Sequence, residues 1–237
     1  MALLRAFPLD AVHHGYGLPM TPLRVRYQTI EFGLTDIHLR TLRDNQQYAD
    51  VDGIALRLGI SSATWPLFGI VWASGTVLAH LMAEHEIDGL RILEVGCGIA
   101  LASLVLNQRH ANITATDYHP EAGNFLRENV TLNHGSAIPF VRTGWEDEAT
   151  ELGVFDLIIG SDLLYERSHV NILSGFIEQH AAPHCQVILV DPGRGHHACF
   201  SKKMVTLGYS HRQHKPEHTD YLTLPFKGQV LRYQRQH

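Results

Sequence analysis

From Arg91 onward the chain alternates short apolar runs with amphipathic stretches, and that alternation restricts it to a small set of architectures. Arg91 to Val95 is followed by Ile99 to Arg109, and Asn112 to Thr116 by Pro120 to His134. The pattern continues through Pro139 to Thr143, Phe155 to Gly160, Ser168 to His180, Gln186 to Val190 and Cys199 to Leu207. Runs such as Leu157-Ile158-Ile159 and Val187-Ile188-Leu189-Val190 lack polar alternation, so as strands they are covered on both faces, which is the situation of parallel strands linked by crossover helices. Tyr209 to Lys215 and Gln229 to Tyr233 supply a closing antiparallel pair. The expected fold is therefore α/β, a doubly wound and mostly parallel sheet. Ahead of it, Val25 to Phe32 and Asp36 to Leu42 alternate around a Gly33 turn and predict a β-hairpin. Thr76 to Glu86 predicts a helix with Ser74 or Thr76 at its start, and residues 1–22 read as a Pro- and Gly-punctuated arm. The expected division is an arm and hairpin over 1–60 and the main domain over 61–237.

Composition narrows the function classes. Hydrophobic residues make up 45% and charged residues 18% of 237, which suits a folded core and not a disordered chain. Nineteen Lys and Arg against 24 Asp and Glu leave a net charge of −5, the wrong sign for a protein held by nucleic-acid phosphates. The three cysteines, Cys97, Cys185 and Cys199, show no C-x-x-C spacing, so neither a disulfide framework nor a zinc finger is expected and the reading is cytoplasmic. No secretory signal is legible in MALLRAFPLD. Leu58 to Ala83 carries no formal charge, but Pro66, Gly69, Gly75 and several hydroxyls interrupt it, and no membrane span is expected. The seventeen histidines include no metal-ligand spacing: His80 to His85 is one residue too long for H-x-x-E-H, and Pro216 breaks up His211, His214 and His218.

The chemistry concentrates where the first parallel strand ends, at Glu94-Val-Gly96-Cys97-Gly98-Ile99-Ala100. Glycines let the backbone approach a ligand closely, and the helix that follows offers free N–H groups. A dinucleotide fingerprint needs a third glycine where Leu101 stands, and Glu94 would repel a pyrophosphate while suiting a ligand that carries a cation. Asp117 ends the next strand about twenty residues on, where a carboxylate accepts both ribose hydroxyls. Plainer structural roles stand beside these: strand-to-helix packing for Gly96 and Gly98, an N-cap for Asp117 or Asp162, and core packing for Trp72, Trp145 and Tyr165.

With acid, loop and spaced Asp117 in place, the chain resembles the class I, seven-strand S-adenosylmethionine-dependent methyltransferases. Ala100 stands where their last loop glycine would be. Trp72, Trp145-Glu146 and Ser161-Asp162-Leu163-Leu164-Tyr165, which carries an Asp-x-x-Tyr, narrow the resemblance to the protein-lysine methyltransferases of family 16. Asp191-Pro192-Gly193-Arg194 is further similar to enzymes that methylate the electron transfer flavoprotein β subunit. The resemblance implies S-adenosyl-L-methionine as cofactor and a protein substrate. It implies cofactor contacts from Trp72, Glu94, Gly96, Cys97, Gly98, Asp117, Trp145 and Ser161, and catalytic roles for Asp162 and Tyr165. The alternatives are a small-molecule N-methyltransferase and a non-enzymatic interaction module on the same scaffold.

Overall fold

A computed structural model describes residues 24–46, 48–50, 52–148 and 150–235; the arm expected over 1–22 lies outside them. The N-terminal hairpin forms as expected, from β1 (Val25–Phe32) and β2 (Thr35–Leu42). A short α1 (Ile54–Arg57) and a 3-10 turn (Ser62–Leu67) lead to α2 (Ala73–Glu84). Then come β3 (Arg91–Val95), α3 (Leu101–Gln108), β4 (Asn112–Asp117), α4 (Ala122–Leu132) and β5 (Phe140–Arg142). The chain finishes with β6 (Phe155–Ser161), α5 (His169–His180), β7 (Ala181–Asp191), α6 (His197–Thr206), β8 (Tyr209–His214) and β9 (Gln229–Arg235).

Seven of these strands form one sheet in the order β5-β4-β3-β6-β7-β9-β8. The first five run parallel, and β9 and β8 close the edge antiparallel. The period of two along each strand divides its side chains between two cores. Ile92, Leu157, Ile159, Ile188, Val190 and Val230 pack under α2, α3 and α4, while Leu93, Val95, Ile158, Val187, Leu189 and Leu231 pack under α5 and α6. The strand order reverses between β3 and β6, the switch point of an open α/β sheet, and ligands bind beyond the strand ends there.

Two boundaries shift by three residues or more from the sequence expectation. α2 begins at Ala73, three residues before Thr76, and no side chain caps it. The Thr76 hydroxyl donates back to the Trp72 carbonyl (3.3 Å) and the buried Ser74 hydroxyl has no partner among the described residues, so the first turn rests on the Thr76 N–H bond to the Trp72 carbonyl. β7 reaches back to Ala181 and not only to Gln186, because after a register shift Ala181 still pairs with Phe155. Across the described residues, no helix is long and apolar enough to cross a membrane.

The hairpin is joined to the domain by a side-chain imitation of a third strand. Asn129 and Asn133, one turn apart on α4, face the open edge of β2. Asn133 accepts from His38 N (2.8 Å) and donates to His38 O (2.6 Å); Asn129 accepts from Arg40 N (2.7 Å) and donates to Arg40 O (3.2 Å). Ile37 and Leu39, on one face of β2, and Leu42 at its end are fully buried in the same core as α3 and α4. At Gly69, φ is +86° and any Cβ would collide with Leu42, so only glycine allows its carbonyl to accept from Leu42 N (2.7 Å). Replacing Asn129 or Asn133 by Ala strands a backbone donor and acceptor at once. Each variant should lose ~1–3 kcal/mol in denaturant titration, against under ~0.5 kcal/mol for Thr131→Ala on the exposed side of the same helix.

Candidate active site

Beyond the carboxyl ends of β3, β4 and β6 lies a cavity of about 520 Å3, and all ten residues singled out from the sequence line it: Trp72, Glu94, Gly96, Cys97, Gly98, Asp117, Trp145, Ser161, Asp162 and Tyr165. Its floor is the turn from β3 into α3. Gly96, Gly98 and Ala100 all take left-handed conformations, with φ of 61°, 56° and 61°. At Gly96 a Cβ would also approach Leu163 to 2.6 Å. Ala100 holds the glycine-favoured conformation with a fully buried side chain, so its methyl is accommodated at the cost of backbone strain.

Two carboxylates brace this turn. Asp117 accepts from Gly98 N through Oδ2 (2.7 Å) and from His119 N through Oδ1 (2.7 Å), and the Tyr118 amide also points at the carboxylate. Burial outweighs these bonds and holds its carboxyl above the usual carboxylate range. Glu94, buried under the turn, accepts from both the amide and the hydroxyl of Ser103 in the first turn of α3. Burial pushes its carboxyl up to about 7, with the Ser103 bonds pulling the other way and the Asp117 charge adding to the rise. The structural alternatives for Asp117 and Asp162 fall: α4 starts after Glu121 and α5 after Ser168, so neither acid caps a helix.

Aromatic groups make the walls. Trp72, extended ahead of α2, donates its indole N–H to Leu67 O (2.9 Å). Trp145 meets the ring of His169 edge-on at 5.1 Å, and Tyr165 meets the same ring at 4.3 Å. Tyr165 is 37% exposed and is not a core residue. Burial, with Asp117, Glu166 and Asp162 nearby, pushes its phenol up to about 12. On the Asp117 side, Phe68 stacks on His119 at 3.7 Å, and burial drives that imidazole down to about 4.

Asp162 is held more firmly than its motif suggests. Its φ is 57°, a left-handed conformation that Asp tolerates better than most side chains, and its N–H donates to Val190 O (2.9 Å). Arg194 grips its carboxylate with both edges of one fork, Nε to Oδ1 at 2.6 Å and Nη2 to Oδ2 at 3.1 Å. Arg194 was legible only as the last residue of Asp-Pro-Gly-Arg, and nothing in the spacing joined it to Asp162. His119, His169, Phe68 and Tyr118 also line the cavity, and no motif or ligand spacing in the sequence marks them. No group of His, Cys, Asp and Glu able to hold a metal occurs among the described residues.

A family model for lysine methyltransferases matches residues 58–201. The chain belongs to that family. It is 30% identical over 115 residues to the protein N-lysine methyltransferase METTL21A of Danio rerio, covering 44% of this chain and 52% of that one. It is 26% identical over 133 residues to the electron transfer flavoprotein beta subunit lysine methyltransferase of Mus musculus, covering 54% and 51%. The chain thus spans about half the length of these relatives. Among solved structures, the T. thermophilus 16S rRNA N2 G1207 methyltransferase RsmC, in complex with AdoMet and guanosine, shares the fold with a TM-score of 0.63 and 13% identity, over 92% of this chain and 52% of that one.

Because the Glu94 carboxyl is pushed from an ordinary 4.5 to about 7 in the folded protein, the unfolded chain releases this proton first as pH rises. Wild type should therefore lose stability relative to Glu94→Gln between about pH 4.5 and 7, by on the order of 2–4 kcal/mol, read from denaturant midpoints across that range.

Proposed function

We propose that the protein transfers the methyl group of S-adenosylmethionine to a nitrogen, that of a lysine side chain in a protein substrate. The observation that carries this reading is the charge of the cavity: Glu94, Asp117, Glu146, Asp147 and Asp162 line it, and Arg194, already paired to Asp162, is the one Lys or Arg among its described lining residues. Such a site favours cationic groups on both reactants and disfavours nucleotide phosphates. The volume suits a nucleoside-sized ligand.

The residues fit the donor. Asp117, oriented at the end of β4 by the backbone amides it accepts from, is placed to take a ribose hydroxyl, and the left-handed turn from Gly96 to Ala100 lets backbone lie against the ligand. Glu94 and the face of Trp72 suit a group bearing positive charge. When bound, the donor supplies a methyl already activated on a sulfonium. The protein's remaining task is alignment of the acceptor nitrogen behind that methyl, within ~3.5 Å and in line. Tyr165 and Trp145 shape the acceptor end, and Asp162, rigidly oriented by Arg194, offers it a hydrogen-bond acceptor. A lysine of ordinary pKa ~10.4 is neutral in only about one molecule in a few thousand at pH 7, so the acceptor must also lose a proton.

Three measurements test the reading together. Isotopic methyl transfer from labelled S-adenosylmethionine into a lysate should label polypeptide on lysine; label confined to a small-molecule fraction would assign the protein to small-molecule N-methylation, and no label with no donor binding would leave an interaction module. Asp117→Ala should weaken donor binding by ~1.5–3 kcal/mol in calorimetry. Asp162→Asn should keep donor affinity within ~1 kcal/mol while slowing transfer at least tenfold, and abolished donor binding in a folded Asp162→Asn variant would move Asp162 to the donor shell.

A further inference from the structure

A lysine acceptor reaches the cavity as an ammonium, and some group must take its proton before the nitrogen has a lone pair to offer. Most of the side chains around the acceptor end are poorly suited. Both oxygens of Asp162 are engaged by Arg194. Tyr165, pushed up to about 12, keeps its own proton at neutral pH. Asp147, also exposed, has its Oδ2 tied to the Thr143 hydroxyl and the Gly144 amide of its own loop. Glu146 is exposed to solvent and is not held in one orientation toward the acceptor by any bond the structure shows among the described residues. His119 sits at the Asp117 side under Phe68, and its imidazole is driven down to about 4.

His169 is different. It is the first residue of α5, 8% exposed, and its ring is part of the cavity wall between Tyr165 and Trp145. Its Nδ1 lies 2.8 Å from the carbonyl oxygen of Leu163. A carbonyl only accepts, so Nδ1 carries the proton and the lone pair of the neutral ring is on Nε2. Among the described residues no hydrogen bond is made by Nε2; Glu166 Oε2 lies 3.9 Å from it, on a half-exposed side chain. A ring with one nitrogen tied to a carbonyl, the other free, and a carboxylate beside the free one has the arrangement of an oriented general base with a counter-charge.

We infer that His169 is the proton acceptor for the lysine substrate, with Glu166 stabilising the imidazolium that results. The inference rests on the lysine reading above. In the step, the Nε2 lone pair takes one proton from the substrate ammonium, the N–H bonding pair stays on the lysine nitrogen, and that nitrogen attacks the methyl carbon while the carbon–sulfur pair leaves with sulfur. The imidazolium then passes its proton to solvent past Glu166. The charged and titratable groups facing the ring are Glu166 and Tyr165 on its own side and, across the cavity, Asp162 with Arg194 and the loop acids Glu146 and Asp147.

The test uses the full chain, labelled S-adenosylmethionine and the polypeptide fraction of a heat-treated lysate, with one labelled band followed throughout. His169→Asn retains an N–H for the Leu163 carbonyl but has no lone pair in place of Nε2. Its donor affinity should match wild type, and transfer at pH 7 should fall at least tenfold. That deficit should shrink steadily as pH is raised toward ~10, where the lysine loses its proton unaided. Glu166→Gln, an exposed change that leaves packing intact, should slow transfer severalfold at pH 7 and also recover at high pH. A His169→Asn deficit of constant size at every pH, or full activity at pH 7, overturns the assignment, as does an unaffected Glu166→Gln. If wild type itself labels no polypeptide, the lysine reading fails and takes this inference with it, whereas an active wild type with pH-independent variants sinks the base alone.

Discussion

Everything the cavity does depends on how the chain leaves β3. In five residues the backbone turns from strand to helix through three left-handed positions, Gly96, Gly98 and Ala100, and two acids hold it there. Asp117 reaches across from the neighbouring strand to bond the amide of Gly98, and Glu94 reaches forward to Ser103 at the start of α3. The two carboxylates therefore fix the turn to β4 on one side and to α3 on the other, and they bring negative charge to the floor of the site. Their proximity in a buried place has a cost: burial raises both carboxyls, and the Asp117 charge makes the ionisation of Glu94 harder still. A cationic ligand in the cavity offsets that repulsion, so the features that strain the empty turn favour a ligand of the proposed kind.

The opposite end of the cavity follows the same logic with different groups. Asp162 takes a left-handed conformation just past β6, bonded through its N–H to β7 and through both oxygens to Arg194 from the loop after β7. Arg194 changes what Asp162 does. An isolated carboxylate would stabilise a lysine ammonium and oppose its loss of a proton; paired to a guanidinium, the carboxylate keeps its directionality while most of its charge is compensated. Asp191, at the end of β7, bonds the amide of Gly193 through Oδ1 (2.8 Å) and so shapes the loop that delivers Arg194. The Asp-Pro-Gly-Arg segment thus acts as one structural unit.

The hairpin belongs to this architecture through contacts that leave little trace in composition. β2 buries Ile37, Leu39 and Leu42 against the face shared by α3 and α4, and its open edge is completed by Asn129 and Asn133. Leu42 N in turn bonds Gly69 O, which ties the hairpin to the 67–72 segment that walls the cavity. A change in the hairpin therefore reaches the Trp72 side of the site through covalently short steps.

The alternation of apolar runs with amphipathic stretches was enough to define the doubly wound sheet, the hairpin and the antiparallel closing pair, because burial on two faces and a period of two are written locally along each strand. The ten site residues were legible for a related reason: loop glycines, strand-end acids and the Asp-x-x-Tyr sit at strand ends, and in an open parallel sheet those ends share one edge. Family likeness supplied their expected roles. What local pattern could not provide was pairing between distant segments. Arg194 lies 32 positions from Asp162, and Asn133 lies 95 from His38. Nothing in the sequence distinguishes His169, oriented by the Leu163 carbonyl, from the other sixteen histidines. The start of α2 escaped for a similar reason, since its first turn rests on backbone bonds and not on the hydroxyls that mark most helix starts. Local pattern is sufficient to put these residues at the ligand edge of the sheet, but which of them touch is settled in three dimensions, because hydrogen bonds between side chains depend on distances that the packing of helices on the sheet sets.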